Sequence, residues 1–146
     1  SMLDDLGLGP ALEWQAREFS RRYDVPVDVS ITGDLHQLPE SHRTCVYRIA
    51  QEALTNCARH SQATAIELNV HKQNGRIEME VRDNGIGLPT GEMKKTGLGL
   101  RGMQERVRDL GGKIAISSSP SEGTTLAVEL PLATGIKDEQ TSNITR

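Results

Sequence analysis

Two segments flanking Asn74-Gly75 alternate apolar and polar residues. Ile66, Leu68 and Val70 point one way while Glu67, Asn69 and His71 point the other. In the second segment Ile77, Met79 and Val81 oppose Glu78, Glu80 and Arg82. Asn-Gly between two alternating segments is the turn chemistry of a hairpin. Strands that are apolar on one side only belong to a sheet covered on one face and wet on the other. That requirement governs the rest of the chain. Val25–Ile31, Lys113–Ser118 and Thr124–Leu130 alternate in the same way, with turns at Gly33 and at Pro120–Gly123.

The covered face needs helices. Pro10 stands in a first helical turn, where its missing N–H costs nothing. Leu12, Gln15/Ala16, Phe19 and Tyr23 then recur at helical spacing, which predicts a helix over 10–23. Pro39 opens a second helix, running to about His60. Its Val46, Ile49, Ala50, Ala53, Leu54 and Cys57 form one apolar stripe at ~100° per residue. A third helix is predicted over 98–110, with Leu100, Met103, Val107 and Leu110 inward and Gly111-Gly112 as its stop. The order is α β α β β, a loop over 84–97, then α β β. The expected fold is α+β: a two-layer α/β sandwich, its mixed, mostly antiparallel sheet covered on one face by three helices. We expect residues 1–9 to be a link, 10–132 the domain and 133–146 a loose polar tail.

The 146 residues are one domain's worth, with enough chain to bury a core unaided. Only 3% are aromatic, so that core must be aliphatic. The formal charge of -3 argues against nucleic-acid binding, which needs a basic excess. No apolar run approaches the ~20 residues of a membrane span, and no secretory signal pattern is visible. Cys45 and Cys57 share one predicted helix, where twelve residues rise about 18 Å, beyond disulfide reach. They read as two small core residues of a reducing compartment, and the expected localisation is cytoplasmic.

Chemistry concentrates in three places. Taking Glu52 as origin on the second helix, Asn56 falls at about 40°, Arg59 at about −20° and His60 at about 80°. The apolar stripe covers about 60–200°, so these polar residues border the buried face. An acid and an amide four apart beside a core edge can reach a metal ion and its waters, and a solvated flank is the alternative. Asp83-Asn84-Gly85-Ile86-Gly87 ends a strand and opens the long loop. Its carboxylate can accept from an amino group, and Gly85 and Gly87 permit close backbone approach. The same residues are also good turn chemistry. Gly97-Leu98-Gly99-Leu100-Arg101-Gly102 has G-x-G-x-x-G spacing, but no strand precedes it, so a Rossmann site is excluded. What remains is a glycine-rich entry to a helix N-terminus, an anion site that Lys94 and Lys95 could reinforce. There is no P-loop segment.

Taken in order, Glu52-x-x-x-Asn56, Asp83-x-Gly85-x-Gly87, Gly97-Leu98-Gly99-Leu100 and Gly123-Thr124-Thr125 resemble the ATP-binding domain of sensor histidine kinases. That is the Bergerat, or GHKL, fold shared with DNA gyrase, the Hsp90 chaperones and MutL. Arg48–Asn56 and Gly99–Arg106 look most like the nitrate/nitrite-sensor type, and the resemblance spans about 3–132. Leu3–Leu8 resembles that subfamily's link from its dimerisation helices. The resemblance implies ATP and Mg²⁺ as cofactors, with Asn56 on the metal and Glu52 as a base or water-orienting group. Asp83 would receive the adenine amino group, with Thr124 assisting through water. Arg59, His60, Lys95 and the Gly97–Leu100 turn would lie near phosphate, and 84–97 would be a short ATP lid without a phenylalanine box.

Autophosphorylation in that family uses a histidine on a separate dimerisation hairpin. None of His36, His42, His60 and His71 lies in such a helix. The chain is therefore expected to bind ATP without carrying its own acceptor. The implied partners are that phosphoacceptor domain and a response regulator, in a full-length kinase that is expected to be homodimeric and can carry a membrane anchor. The chain alone is expected to be monomeric, with no membrane contact. Two other readings remain open at this point: an anti-sigma-factor serine kinase of the same fold, and a nucleotide-responsive interaction module without transfer activity.

Overall fold

The computed structural model describes residues 2–87 and 97–132. Lys95, the rest of 88–96, the tail 133–146 and the side chains of His60, Ser61, Leu98 and Leu100 lie outside the described residues. The helices are α1 (Met2–Leu6), α2 (Leu8–Tyr23), α3 (Glu40–Asn56) and α4 (Gly97–Asp109). The strands are β1 (Val27–Thr32), β2 (Ile66–Gln73), β3 (Arg76–Asp83), β4 (Lys113–Ser119) and β5 (Gly123–Pro131).

The five strands form one sheet in the order β1-β2-β3-β5-β4, with β1 and β2 parallel and every other pair antiparallel. The mixed, mostly antiparallel sheet agrees with the sequence expectation. A parallel pair needs a crossover connection, and α3 lies within it. Cross-strand partners Leu68 and Val81, and Val70 and Met79, face the same side and are buried. They meet Leu12 of α2, Ile49 and Leu54 of α3, and Met103 and Val107 of α4 in one aliphatic core. The opposite face is wet. There exposed Arg76 pairs with the partly exposed Glu78 at 2.9 Å and Glu129 at 3.0 Å.

Two details differ from expectation. Within the segment expected as a link, Met2–Leu6 form the short helix α1, and α2 begins at Leu8, ahead of the expected start, with Pro10 still in its first turn. More consequentially, α3 does not continue as a regular α-helix to His60. It ends at Asn56, and Cys57–Ser61 form one π-helical turn. The wider i→i+5 turn changes the angle per residue, so Arg59 leaves the position a straight wheel assigns it. At the other end of α3, buried His42 donates from Nε2 to the carbonyl of Pro131 at 2.7 Å, tying the helix start to the end of β5.

Candidate functional site

The inward row of β3 runs Ile77, Met79, Val81 and then Asp83. Asp83 thus occupies a core position, opposite Ile66, and only 2% of it is exposed. A buried carboxylate needs donors, and three converge here. Oδ1 accepts the backbone N–H of Gly85 at 2.8 Å and of Thr124 at 3.3 Å. Oδ2 accepts the thiol of Cys57 at 3.2 Å. Burial pushes the Cys57 thiol well above the usual thiol range, and the Asp83 charge and hydrogen bond push it further. It therefore stays S–H at neutral pH.

Backbone packing holds this carboxylate in place. Gly123 has φ +83°, and a Cβ there would overlap the Asp83 carbonyl oxygen. Gly87 has φ +78°, and its Cβ would run into the Ser119 carbonyl and stand 2.9 Å from Ser118 Oγ. At Gly87 the chain itself, through Ser119 and Ser118, takes the space that a side chain would need. Gly85 contributes its N–H to Asp83. Asn84 clamps the same corner from outside. Its Oδ1 accepts from Thr64 N at 2.9 Å and Ala65 N at 3.0 Å, and its Nδ2 donates to Thr64 Oγ1 at 2.9 Å.

A cleft opens between this end of the sheet and the end of α3. Ala53, Asn56 and Cys57 line it from the helix side, with Val81, Asp83, Ile116, Thr124 and Leu126 from the sheet. Thr124 Oγ1 and Ser118 Oγ are 3.0 Å apart at its edge. Apolar walls with one buried carboxylate suit a flat heterocycle carrying an amino group: the walls take its faces and the carboxylate its donor. Asn56, Asp83 and Thr124, far apart in sequence, meet in this one cleft.

Glu52 does not line it. This half-buried residue faces a second groove, between α3 and α4, with Arg48, Thr55, Gly102 and Arg106. Arg59 is exposed on the π-helical turn. Gly97, Leu98, Gly99 and Leu100 form the first turn of α4. Sequence reasoning missed Cys57, which it read as core filling, and Ser118. The available signals were that Cys57 follows Asn56 directly and that Ser118 continues the inward parity of Ile114 and Ile116.

Among the described residues, no group of three or more His, Cys, Asp or Glu side chains is placed to hold a metal ion. The half-buried amide of Asn56 at the cleft fits Mg²⁺, which keeps several waters and is bound through few protein oxygens plus substrate phosphates. No helix among the described residues is long and apolar enough to cross a membrane.

The profile of the family described as histidine kinase-, DNA gyrase B- and HSP90-like ATPase matches residues 42–134. The chain belongs to that family. The signal transduction histidine-protein kinase/phosphatase DegS of Brevibacillus brevis is 34% identical over 132 residues, covering 90% of this chain and 34% of DegS. The nitrate/nitrite sensor protein NarX of Escherichia coli K12 is 30% identical over 126 residues, covering 86% of this chain and 21% of NarX. The chain thus spans about a third or less of the length of these two relatives. The fold matches the histidine kinase domain of the Erythrobacter litoralis EL346 blue-light activated histidine kinase with a TM-score of 0.73. That match has 21% identity and covers 87% of this chain and 66% of the other.

Proposed function

We propose that this chain is the ATP- and Mg²⁺-binding catalytic domain of a two-component sensor histidine kinase. It donates the γ-phosphate of ATP to a histidine on a dimerisation domain outside the chain. The observation that carries this reading is the buried Asp83 carboxylate between apolar walls, with Asn56 on the same cleft. Asp83 accepts the adenine amino group, and Thr124 holds the same edge of the base through water. Asn56 binds Mg²⁺, which neutralises phosphate charge when bound. Arg59, His60, Lys95 and the Gly97-Leu98-Gly99-Leu100 turn surround the phosphates, and Gly85 and Gly87 shape the wall beside the base. Glu52 acts as a base or orients water from the neighbouring groove. Phosphoryl transfer asks the protein mainly for positioning and charge stabilisation, which these groups supply.

The test is transfer of labelled γ-phosphate. With ATP and Mg²⁺ the chain alone should form no stable phosphohistidine, and adding the cognate dimerisation hairpin should give labelling on the hairpin's histidine. His60 follows Asn56 in the π-helical turn Cys57–Ser61 and is the histidine of this chain that the test must exclude as acceptor. Acid-labile label on this chain alone that disappears in His60→Gln contradicts the reading.

A further inference from the structure

The Cys57 thiol sits on the carboxylate that the proposed function assigns to adenine, and nothing in that assignment uses it. Resting on that reading, we propose that Cys57 is a positioning residue for purine recognition: its S–H sets Asp83 Oδ2 for the 6-amino group of the base.

The argument is one of directions. Oδ1 of Asp83 already takes two backbone N–H groups, from Gly85 and Thr124. Oδ2 takes the thiol at 3.2 Å. A carboxylate oxygen offers two lone-pair sites. The thiol occupies one of those on Oδ2 and leaves the second for a donor entering the cleft. Together the three donors fix the rotation of the carboxylate about its Cβ–Cγ bond. The thiol is a weak donor, so Oδ2 remains a strong acceptor for an incoming amino group. Cys57 also lines the cleft beside Ala53 and Asn56, so a ring reaching Asp83 passes along the sulfur. Cys45, the other cysteine, is buried and does not line this cleft.

The test compares two ligands on the full chain by titration calorimetry: ATP, and the triphosphate of purine riboside, which lacks the 6-amino group. Cys57→Val keeps a similar volume and removes the donor. It should weaken ATP by roughly five- to tenfold, the scale of one lost hydrogen bond, and leave the deamino analogue within about twofold. Cys57→Ser keeps a donor and should hold the ratio of the two affinities within about threefold of the parent value. A Cys57→Val variant that weakens both nucleotides equally, or neither, overturns the proposal and leaves the thiol as wall packing. If Cys57→Val does not fold, Cys57→Ala answers the same question, because the ratio of two affinities does not depend on the active fraction. Asp83→Asn separates the two levels of the argument. It should erase the preference for ATP over the deamino analogue. A parent chain that shows no such preference, or an Asp83→Asn variant that retains it, overturns the cleft assignment itself.

Discussion

A Cβ on Gly123 would overlap the carbonyl oxygen of Asp83 and stand 2.9 Å from Gly85 N. The first residue of β5 is therefore pressed against the last residue of β3, and the pocket carboxylate takes its position from that contact. Gly123→Ala must push the two strands apart and also adopt φ near +83°. Overpacking and the strained backbone together should cost about 2–4 kcal/mol. The expected result is a clear fall in melting temperature together with weaker ATP binding. A variant as stable as the parent would show that the corner yields easily.

Asp83 should distinguish adenine from guanine. Guanine presents a carbonyl where adenine presents an amino group, so the carboxylate would face a like partial charge with its bond unmade. Mismatches of this kind discriminate by about 10⁴ or more in sites built around a polar group. Calorimetry with equal ATP and GTP affinity would remove the adenine assignment. Asp83→Asn keeps an oxygen for Gly85 and Thr124 and should stay folded. Asp83→Ala strands two half-buried N–H groups and should cost about 1–3 kcal/mol in thermal or denaturant unfolding.

Asn56 is half-buried at the edge of the cleft. Removing its amide takes little from the core, so Asn56→Ala should change stability by no more than about 0.5 kcal/mol. Nucleotide binding should instead lose its dependence on Mg²⁺, measured by titration with and without a chelator. A large drop in melting temperature without nucleotide would point to a structural role.

Burial pushes up the thiols of both Cys45 and Cys57, and Arg106 offsets part of the rise at Cys45. As pH rises through the ordinary thiol value of 9.0, the unfolded chain releases these protons while the folded chain keeps them. The unfolded state then binds fewer protons, so stability falls with rising pH. The thiol contribution is fully present below that value and is lost above it. Melting temperatures between about pH 8 and 10.5 should fall more steeply for the parent than for a Cys45→Ala/Cys57→Ser double variant. Parallel slopes would contradict the burial argument.

Much of the architecture was legible because backbone geometry imposes its own period on the sequence. Strands alternate and α-helices repeat at ~100° per residue, so Ile66–Val70, Ile77–Val81 and the α3 stripe announce their elements and their buried sides. The same alternation places Asp83, Thr124 and Ser118 on the inward face before any coordinate is known. The resemblance through Glu52, Asn56, Asp83, Gly97–Leu100 and Thr124 likewise needs only residue order.

Tertiary structure decided which of those residues meet. The π-helical turn at Cys57–Ser61 breaks the single period that a wheel assumes, and it moves Arg59 off the flank that a regular α-helix would give it. Glu52 and Asn56 are one turn apart on α3 yet line different grooves, because the sheet covers one side of the helix and α4 the other. The Cys57–Asp83 and Asp83–Thr124 contacts join residues 26 and 41 positions apart. No local pattern encodes such distances. They follow from how β3, β5 and α3 pack once the aliphatic core closes, and that packing turns an inward-facing aspartate into a buried, three-donor acceptor at the cleft.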